Sequence, residues 1–341
     1  MLYVVIVYLW AAILLYLLLG GADFGAGIIE FFTSRRNRSR TRRTMYQAIG
    51  PVWEANHMWL IITIVILFVG FPKIYTTMSI YLHIPLTAML LGIIARGTAF
   101  VFRNYDAVKD DLQKLYSRIF IYSSVITPFF LGIIAASTVS GRVDPSAASF
   151  LDAYVFSWLN WFSVTVGFFT VSICGFLAAA FIIGETGNEE DRLFFTRKAK
   201  WMMAAAVGCG ALVFIAAYMQ GVPLVEWIFG KPGGILAISL ASLSLPFLWY
   251  GLEKGKSILI RLMAGFEITM ILFAATYRHF PNIVLLKGGG YLSLLEHQGQ
   301  GKTIEALAWA LLLGSIFILP ALFYLLYSFE KKKPARPGSY S

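Results

Sequence analysis

Charged residues and cysteines are scarce in this chain of 341 residues. Charged residues make up 13% and hydrophobic residues 58%, whereas soluble domains carry roughly 25% charged residues. This composition excludes a soluble globular protein and predicts an all-α integral membrane protein. The two cysteines, Cys174 and Cys209, lie in apolar runs, where a free thiol behaves as a small hydrophobic group. Neither a disulfide framework nor a cysteine-based metal site is expected.

Apolar runs that could cross a hydrocarbon core of about 30 Å as helices take up most of the chain. Nine spans are predicted, at about residues 2–32, 51–71, 78–102, 118–140, 157–184, 201–220, 234–251, 258–277 and 305–328. They leave no room for a separate soluble domain, so residues 1–341 are expected to form one polytopic membrane domain that ends in a basic tail at 329–341. The first run has neither a basic segment before it nor a small-residue cleavage site, so we expect a retained helix.

Lysine and arginine alternate between the two sides of the predicted spans. Most of the 28 basic residues follow the first, third, fifth and seventh spans or lie in the tail. The positive-inside rule therefore predicts an amino terminus outside and a carboxyl terminus in the cytoplasm. The net charge of +10 is spread over short segments next to the membrane, so it indicates topology, and no nucleic-acid partner is expected.

Polar side chains inside membrane helices are costly and are candidates for function. With the predicted topology, four of them from the first three spans fall at one depth, in the cytoplasmic third of the membrane: Asp23, Glu54, His57 and Arg96. An acid on one helix, with an acid and an imidazole on the next, is typical of a proton entrance beside a basic cytoplasmic loop. We expect no catalytic residue in the chain itself.

Each of these residues also has a structural interpretation. Glu54 in a first helical turn would stabilise the helix amino terminus through its dipole. Asp23 and Arg96 could form a buried ion pair that only fixes helix register, and His57 could be a hydrogen-bonded packing residue. Three neighbours in the second span are assigned supporting positions: Trp53, Asn56 and Trp59. The two tryptophans also fit interfacial anchors.

The four histidines do not form a recognisable haem site. His57 is predicted near the inner face, His83 near the outer face, and His279 and His297 in an outer loop. No pair lies at mid-membrane depth, and no methionine or cysteine ligand pattern accompanies them. We therefore expect this chain to bind no cofactor or metal and any redox centre to lie in a partner.

The second half of the chain offers one buried acid. Glu267 lies about nine residues, or about 14 Å, into the eighth span, near the middle of the bilayer. It is either a proton-related or quinone-related group or a hydrogen-bonding residue that faces a partner. The glycine-rich loop from Arg278 to Lys302 shows no recognisable catalytic spacing.

Three segments of the first three spans carry a resemblance to a known family. Residues 21–27 (GADFGAG) resemble the G-F-D-L-G-x-G segment of subunit II of the cytochrome bd-type quinol oxidases. Residues 50–60 (GPVWEANHMWL) resemble that family's G-P-V-W-D-G-N-E-V-W-L, and residues 95–103 (ARGTAFVFR) its F-R-G-V-A-F-E-F-R. The resemblance covers about residues 10–105 and beyond them consists of hydropathy and helix count.

This resemblance implies two four-helix bundles, at about 1–140 and 157–277, and a peripheral ninth helix at 305–328. It implies the non-haem subunit of an electrogenic complex in the cell membrane that oxidises quinol and reduces dioxygen to water. Haem b with haem d, or b-type haem alone, would belong to the partner, subunit I. The other implied partners are quinone, membrane lipid and, in some complexes, a small single-helix subunit.

The chain departs from the family at three positions. Glu54 stands where the family has Asp, His57 where Glu or Gln is common, and Gly20 where some members carry a second acid. A proton path like the family's would therefore enter through Asp23 and Glu54, or partly through the partner. Two alternatives stay open: a secondary transporter, which would show helices broken near the midplane, and a purely structural scaffold.

Overall fold

The computed structural model describes residues 1–50, 53–105, 110–186 and 189–331. Helices make up most of this part of the chain: α1 Leu2–Phe31, α2 Arg35–Ile49, α3 Trp53–Val65, α4 Pro72–Tyr81, α5 His83–Tyr105, α6 Asp110–Val139, α7 Phe150–Tyr154, α8 Trp161–Ile182, α9 Glu189–Met219, α10 Leu224–Phe229, α11 Pro232–Lys254, α12 Ser257–Tyr277 and α13 Gly301–Lys331. Two π-helical turns interrupt the α-helical pattern, one inside α1 at Tyr16–Gly20 and one at Ile66–Gly70, directly after α3.

Within the described residues, eight helices are long and apolar enough to cross a membrane: α1, α5, α6, α8, α9, α11, α12 and α13. The predicted all-α, multi-pass membrane architecture is thereby confirmed. The count of nine spans and the orientation of the termini stay predictions, as does the division into two bundles. The start of the predicted second span, at 51 and 52, and most of the predicted basic tail, from 332 onward, lie outside the described residues.

The second predicted span ends in a sharp bend. The helix over Ala55–Gly70 meets α4 at an angle of 114°. Phe71 between them has a non-helical backbone, and Pro72 occupies the first turn of α4, where its missing N–H costs no hydrogen bond. Residues 78–81, which the hydropathy assigned to the third span, therefore belong to α4, and the long helix α5 starts at His83.

Small residues bring α1 and α8 into close contact at the centre of the fold. A Cβ added at Gly25 of α1 would lie 1.9 Å from the carbonyl oxygen of Cys174 on α8 and 2.6 Å from the Cβ of Ala178. On another side of α1, a Cβ at Gly27 would lie 2.2 Å from the hydroxyl oxygen of Ser124 on α6. Small residues allow this approach in membranes, where helices associate through packing. The largest buried cluster extends from this contact to α9, α11 and α12.

The loop between α12 and α13 folds into a two-stranded hairpin, a structure that its sequence pattern did not predict. Strands β1 (Asn282–Leu285) and β2 (Tyr291–Ser293) pair antiparallel. Gly288 and Gly289 between them have φ angles of 82° and 87°, which favour glycine. Apolar residues of the hairpin pack with the start of α1 and with α13, so the loop closes one end of the helical assembly.

An ion pair holds this hairpin to the loop between α6 and α7. The Lys287 Nζ atom lies 3.0 Å from Oδ2 of Asp144, and the Lys287 backbone N–H donates to the Val143 carbonyl at 2.8 Å. The pKa of Asp144 is lowered most by a hydrogen bond from the Ser146 side chain and next by one from Lys287. Two loops that are far apart in sequence are therefore joined to each other.

Replacing Gly25 with alanine should destabilise the fold, because the added methyl group meets the backbone of α8. Overpacking costs typically about 1–3 kcal/mol, and a backbone neighbour cannot rotate away. The matched control is Gly208→Ala on α9, where nothing lies within 4 Å of the added Cβ. Thermal unfolding in detergent should show a clearly lower Tm for Gly25→Ala only. Equal Tm values in the two variants would contradict the close contact of α1 and α8.

Acidification should destabilise the region around His279, which follows α12. The His279 ring packs edge-on against Trp227, with centroids 4.3 Å apart. Burial, assisted by Arg278, lowers the pKa of His279 to about 4, whereas the unfolded chain takes up the proton near pH 6.5. The neutral His279 ring therefore contributes fully to the stability of the folded state above pH 6.5, and this contribution falls as the pH drops toward 4. The Tm should drop more for wild type than for His279→Gln between pH 7.5 and pH 5; parallel curves would refute this.

Candidate functional site

A buried ion pair joins α1 to α5. Nη1 of Arg96 lies 2.7 Å from Oδ2 of Asp23, and Nη2 donates to both Oδ1 and the backbone carbonyl of Asp23 at 2.8 Å. Nε of Arg96 donates to the Ser124 hydroxyl on α6 at 3.1 Å. Asp23 is 0% and Arg96 1% exposed. A forked pair of this kind fixes both side chains in one geometry, and Asp23 is placed for it just after the π-helical turn of α1.

The imidazole of His57 on α3 lies beside this pair. Its Nε2 atom is 3.5 Å from Oδ2 of Asp23, and its ring packs among the rings of Tyr16, Phe24 and Trp53. The structure therefore brings together three of the four residues that depth alone placed at one level. The fourth, Glu54, lies in the first turn of α3, and its side chain is outside the described residues.

The predicted supporting residues line the same part of α3. Asn56 and Trp59 are buried, and the Trp53 ring packs against Phe100 of α5, with centroids 4.8 Å apart. Trp59 thus lies in the protein interior, which corrects the interpretation of this residue as an interfacial anchor. The indole ring is large and apolar, and it belongs to the largest buried hydrophobic cluster of the described residues.

Glu267 is separate from this cluster. It lies on α12 and is partly buried. Among the described residues its carboxylate has no ion pair or hydrogen bond, and no polar contact joins it to Asp23 or Arg96.

A second buried carboxylate, Glu30, was missed in the sequence. Its Oε2 accepts from Nη1 of Arg103 at 2.9 Å, and its Oε1 accepts from Nε and Nη2 of Arg42 at 3.2 and 3.1 Å. Both arginines had been counted only as topology charges. A usable pattern was present: Glu30 follows Asp23 by seven residues, and Arg103 follows Arg96 by seven. Seven residues are about two helical turns. Asp23 and Glu30 therefore lie on one face of α1, and Arg96 and Arg103 lie on one face of α5.

The Phe120 ring of α6 separates the two carboxylate clusters. The guanidinium carbon of Arg96 lies 4.9 Å from its centroid, and that of Arg103 lies 4.0 Å away. Both distances fit cation–π contacts. The ring therefore packs against two guanidinium groups, of which Arg96 pairs with Asp23 and Arg103 with Glu30.

Several buried polar atoms of α1 and α3 have no hydrogen-bond partner among the described residues. In the part of the chain that the structure describes, Oη of Tyr16, Nδ1 of His57 and Nε1 of Trp59 have no hydrogen-bond partner. Buried polar atoms are nearly always bonded, if not to protein then to ordered water. These three atoms therefore mark the site as polar enough to hold water.

Each of the four histidines has its own neighbours within the described segments. His57 lies beside the buried ion pair, and Nδ1 of His83 contacts the Ile80 carbonyl oxygen at 2.8 Å. His279 packs on Trp227, and Nδ1 of His297 accepts from the Ser293 backbone N–H. No group of three metal-binding side chains was found among these residues.

The chain is similar in sequence to proteins of one known family. Residues 1–329 match the family described as cytochrome bd terminal oxidase subunit II. The chain is 27% identical to cytochrome bd ubiquinol oxidase subunit 2 of Bacillus subtilis over 251 residues, which are 65% of this chain and 73% of that protein. It is 21% identical over 340 residues to a putative cytochrome bd menaquinol oxidase subunit II of the same organism, covering 95% and 94% of the two chains.

A solved structure has the same fold. The bd oxidase from Geobacillus thermodenitrificans contains a chain that superimposes with a TM-score of 0.76 at 19% identity, covering 97% of this chain and 100% of that one. The overall helix arrangement is therefore shared, although fewer than one residue in five is identical.

Breaking the buried ion pair should destabilise the protein. Arg96→Met leaves the Asp23 carboxylate unpaired, which costs about 3–5 kcal/mol for a buried pair. The double variant Asp23→Leu/Arg96→Met removes both charges and should recover much of that loss. The control Lys114→Met, which removes an exposed partner of Asp111, should leave the Tm unchanged. If the double variant were as unstable as Arg96→Met, the unpaired charge would not be the cause.

Proposed function

Because the chain belongs to the cytochrome bd terminal oxidase subunit II family, we propose that it is the non-haem subunit of an electrogenic quinol oxidase in the cytoplasmic membrane. The complex oxidises quinol and reduces dioxygen to water. Haem b with haem d, or b-type haem alone, supplies the electron transfer and the oxygen chemistry from the partner, subunit I. This chain supports assembly of that subunit and supplies a path for protons from the cytoplasm.

The contact of His57 with the buried pair carries the proton-path proposal. Nε2 of His57 faces a carboxylate whose charge Arg96 balances, so a proton on this nitrogen gains attraction from Asp23 and meets repulsion from Arg96. The second ring nitrogen has no partner within the described residues. An imidazole can accept a proton at one nitrogen and release it at the other.

Glu54 is proposed as the carboxylate that delivers protons to His57. It precedes His57 by three residues in α3, a spacing that puts the two sequence positions on one face of a helix. Asp23 then serves as the fixed negative charge of the path. Arg96 holds the Asp23 carboxylate in a forked ion pair, a fixed geometry that suits an electrostatic role.

The Glu30 cluster shapes the approach to this path. Glu30 lies about 10 Å beyond Asp23 along α1, by helix rise, and Arg42 ties it to the arginine-rich helix α2. Arg40 of α2 in turn contacts Glu190 and Asp191 at the start of α9. In this proposal α2 holds the cytoplasmic entrance of the proton path in place. Glu267 on α12 is a separate candidate for a proton-related or quinone-related group.

The two alternatives make different predictions for the chain. A transporter needs broken helices near the midplane, but the α3–α4 bend at Phe71 lies about 20 Å along α3 from His57, by helix rise. Family membership also weighs against a transporter. A scaffold without a proton role would retain the ion pairs, so activity measurements have to separate it from the proposal.

Glu54→Ala should slow quinol-dependent oxygen consumption at least tenfold, because proton transfer by a positioned group contributes about 10²–10⁴-fold. Glu54→Asp should retain most of the rate, since it keeps a carboxylate. His57→Leu should behave like Glu54→Ala, because a leucine side chain neither accepts nor donates a proton. Turnover and proton uptake are measured on the complex purified with its partner.

Haem content per complex is the control for these variants. A slow variant with full haem content supports the proton path. A variant that has lost haem reveals a role in assembly instead. Wild-type turnover and proton uptake in both Glu54 variants would mean that Glu54 acts only as a helix cap, and would refute its part in the proton path.

A further inference from the structure

A half-open groove between α8 and α9 is not part of the proton site. Its volume is about 680 Å³, and Phe32 from the end of α1 completes one wall. Asp23, His57 and Arg96 do not line it. Phe168 and Leu212 of its lining are more than half exposed in this chain, so the groove opens sideways, toward the space that lipid or another molecule fills.

Two cations lie at one end of the groove. Arg197 and Lys198 are consecutive residues of α9 and both line it. Nζ of Lys198 donates to the backbone carbonyl of Phe32 at 2.6 Å, which leaves two of its three donors for a ligand. Arg197 is exposed and has no ion pair with the described residues. No carboxylate is among the described side chains that line the groove, so this end has a net positive charge.

The rest of the groove is suited to hydrocarbon. The hydroxyl groups of Thr165 and Ser172 donate to carbonyls of their own helix, at Trp161 and Phe168, with distances of 2.9 and 3.0 Å. They therefore present mainly carbon to the groove. From Arg197 the lining runs along α9 to Leu212, fifteen residues further on. That is about 22 Å of helix, longer than the roughly 15 Å of one lipid leaflet.

Trp201 marks the depth of the cationic end. It lies one turn beyond Arg197 and Lys198, also lines the groove and is 69% exposed. Tryptophan prefers the boundary between headgroups and hydrocarbon. The two cations therefore lie at headgroup level, and the apolar part of the groove runs from there into the membrane.

We propose that this groove binds a membrane phospholipid with a negatively charged headgroup. The headgroup contacts Arg197 and Lys198, and one acyl chain lies along α9 past Met202 toward Leu212. Charge selects this occupant: cations at headgroup level attract anionic lipids, whereas a neutral quinone could accept hydrogen bonds from them but carries no charge to pair with theirs. A partner helix would need its own acid to cover both cations without leaving an unpaired charge.

Native mass spectrometry of the complex purified with its partner tests the proposal, with phosphatidylglycerol and phosphatidylcholine as probes. Wild type should retain phosphatidylglycerol in preference to phosphatidylcholine. Arg197→Gln/Lys198→Gln should bind phosphatidylglycerol about tenfold more weakly, because both headgroup cations are lost. Ala205→Trp, at an exposed position that lines the groove, keeps the cations and should displace the lipid by filling its acyl path.

The matched control is Arg118→Gln/Lys254→Gln, which removes two exposed cations that do not line the groove. It should bind phosphatidylglycerol as wild type does. Three results would overturn the proposal: affinity within twofold of wild type after loss of Arg197 and Lys198, equal retention of phosphatidylcholine, or a quinone retained in place of phospholipid. These readouts measure binding, so they are independent of the proton path and of turnover.

Discussion

A charge inside a membrane must be balanced where it lies, and the pairing of Asp23 with Arg96 meets this requirement between α1 and α5. The forked contact fixes the rotation of both helices, because a turn of either would separate the charges. Ser124 of α6 accepts the remaining Nε–H of Arg96, and His57 of α3 lies against the same carboxylate. Four helices thus depend on one ion pair, which is also the centre of the proposed proton path.

Some residues of α1 pack closely against neighbouring helices, and others form ion pairs. Gly25 and Gly27 allow α8 and α6 to approach so closely that no larger residue fits, while Asp23 and Glu30 face cations. The basic residues likewise have several roles. Arg103 and Arg42 both pair with the buried Glu30, whereas Arg197 stays exposed at the groove and suits an external anion. Position in the fold decides which role each cation has.

Much of the fold and part of the site could be predicted from sequence. Hydropathy located the long helices because burial in lipid requires about 20 apolar residues whatever the packing. Helix rise and alternating charge placed Asp23, His57 and Arg96 at one depth, and the structure brings these residues into contact. The bend at Phe71 was not predicted, since the apolar run ends there without showing the direction in which the chain continues.

The sequence by itself determined the membrane class, the helical segments and the family, because these follow from composition and from motifs on consecutive residues. Only the tertiary structure decided which charges meet. Glu30 and Arg103 are 73 residues apart, as are Asp23 and Arg96, and the rotation of each helix about its axis selects these partners. The same holds for the groove beside Arg197: α8, α9 and Phe32 at the end of α1 form its walls, and the packing of these elements sets its shape.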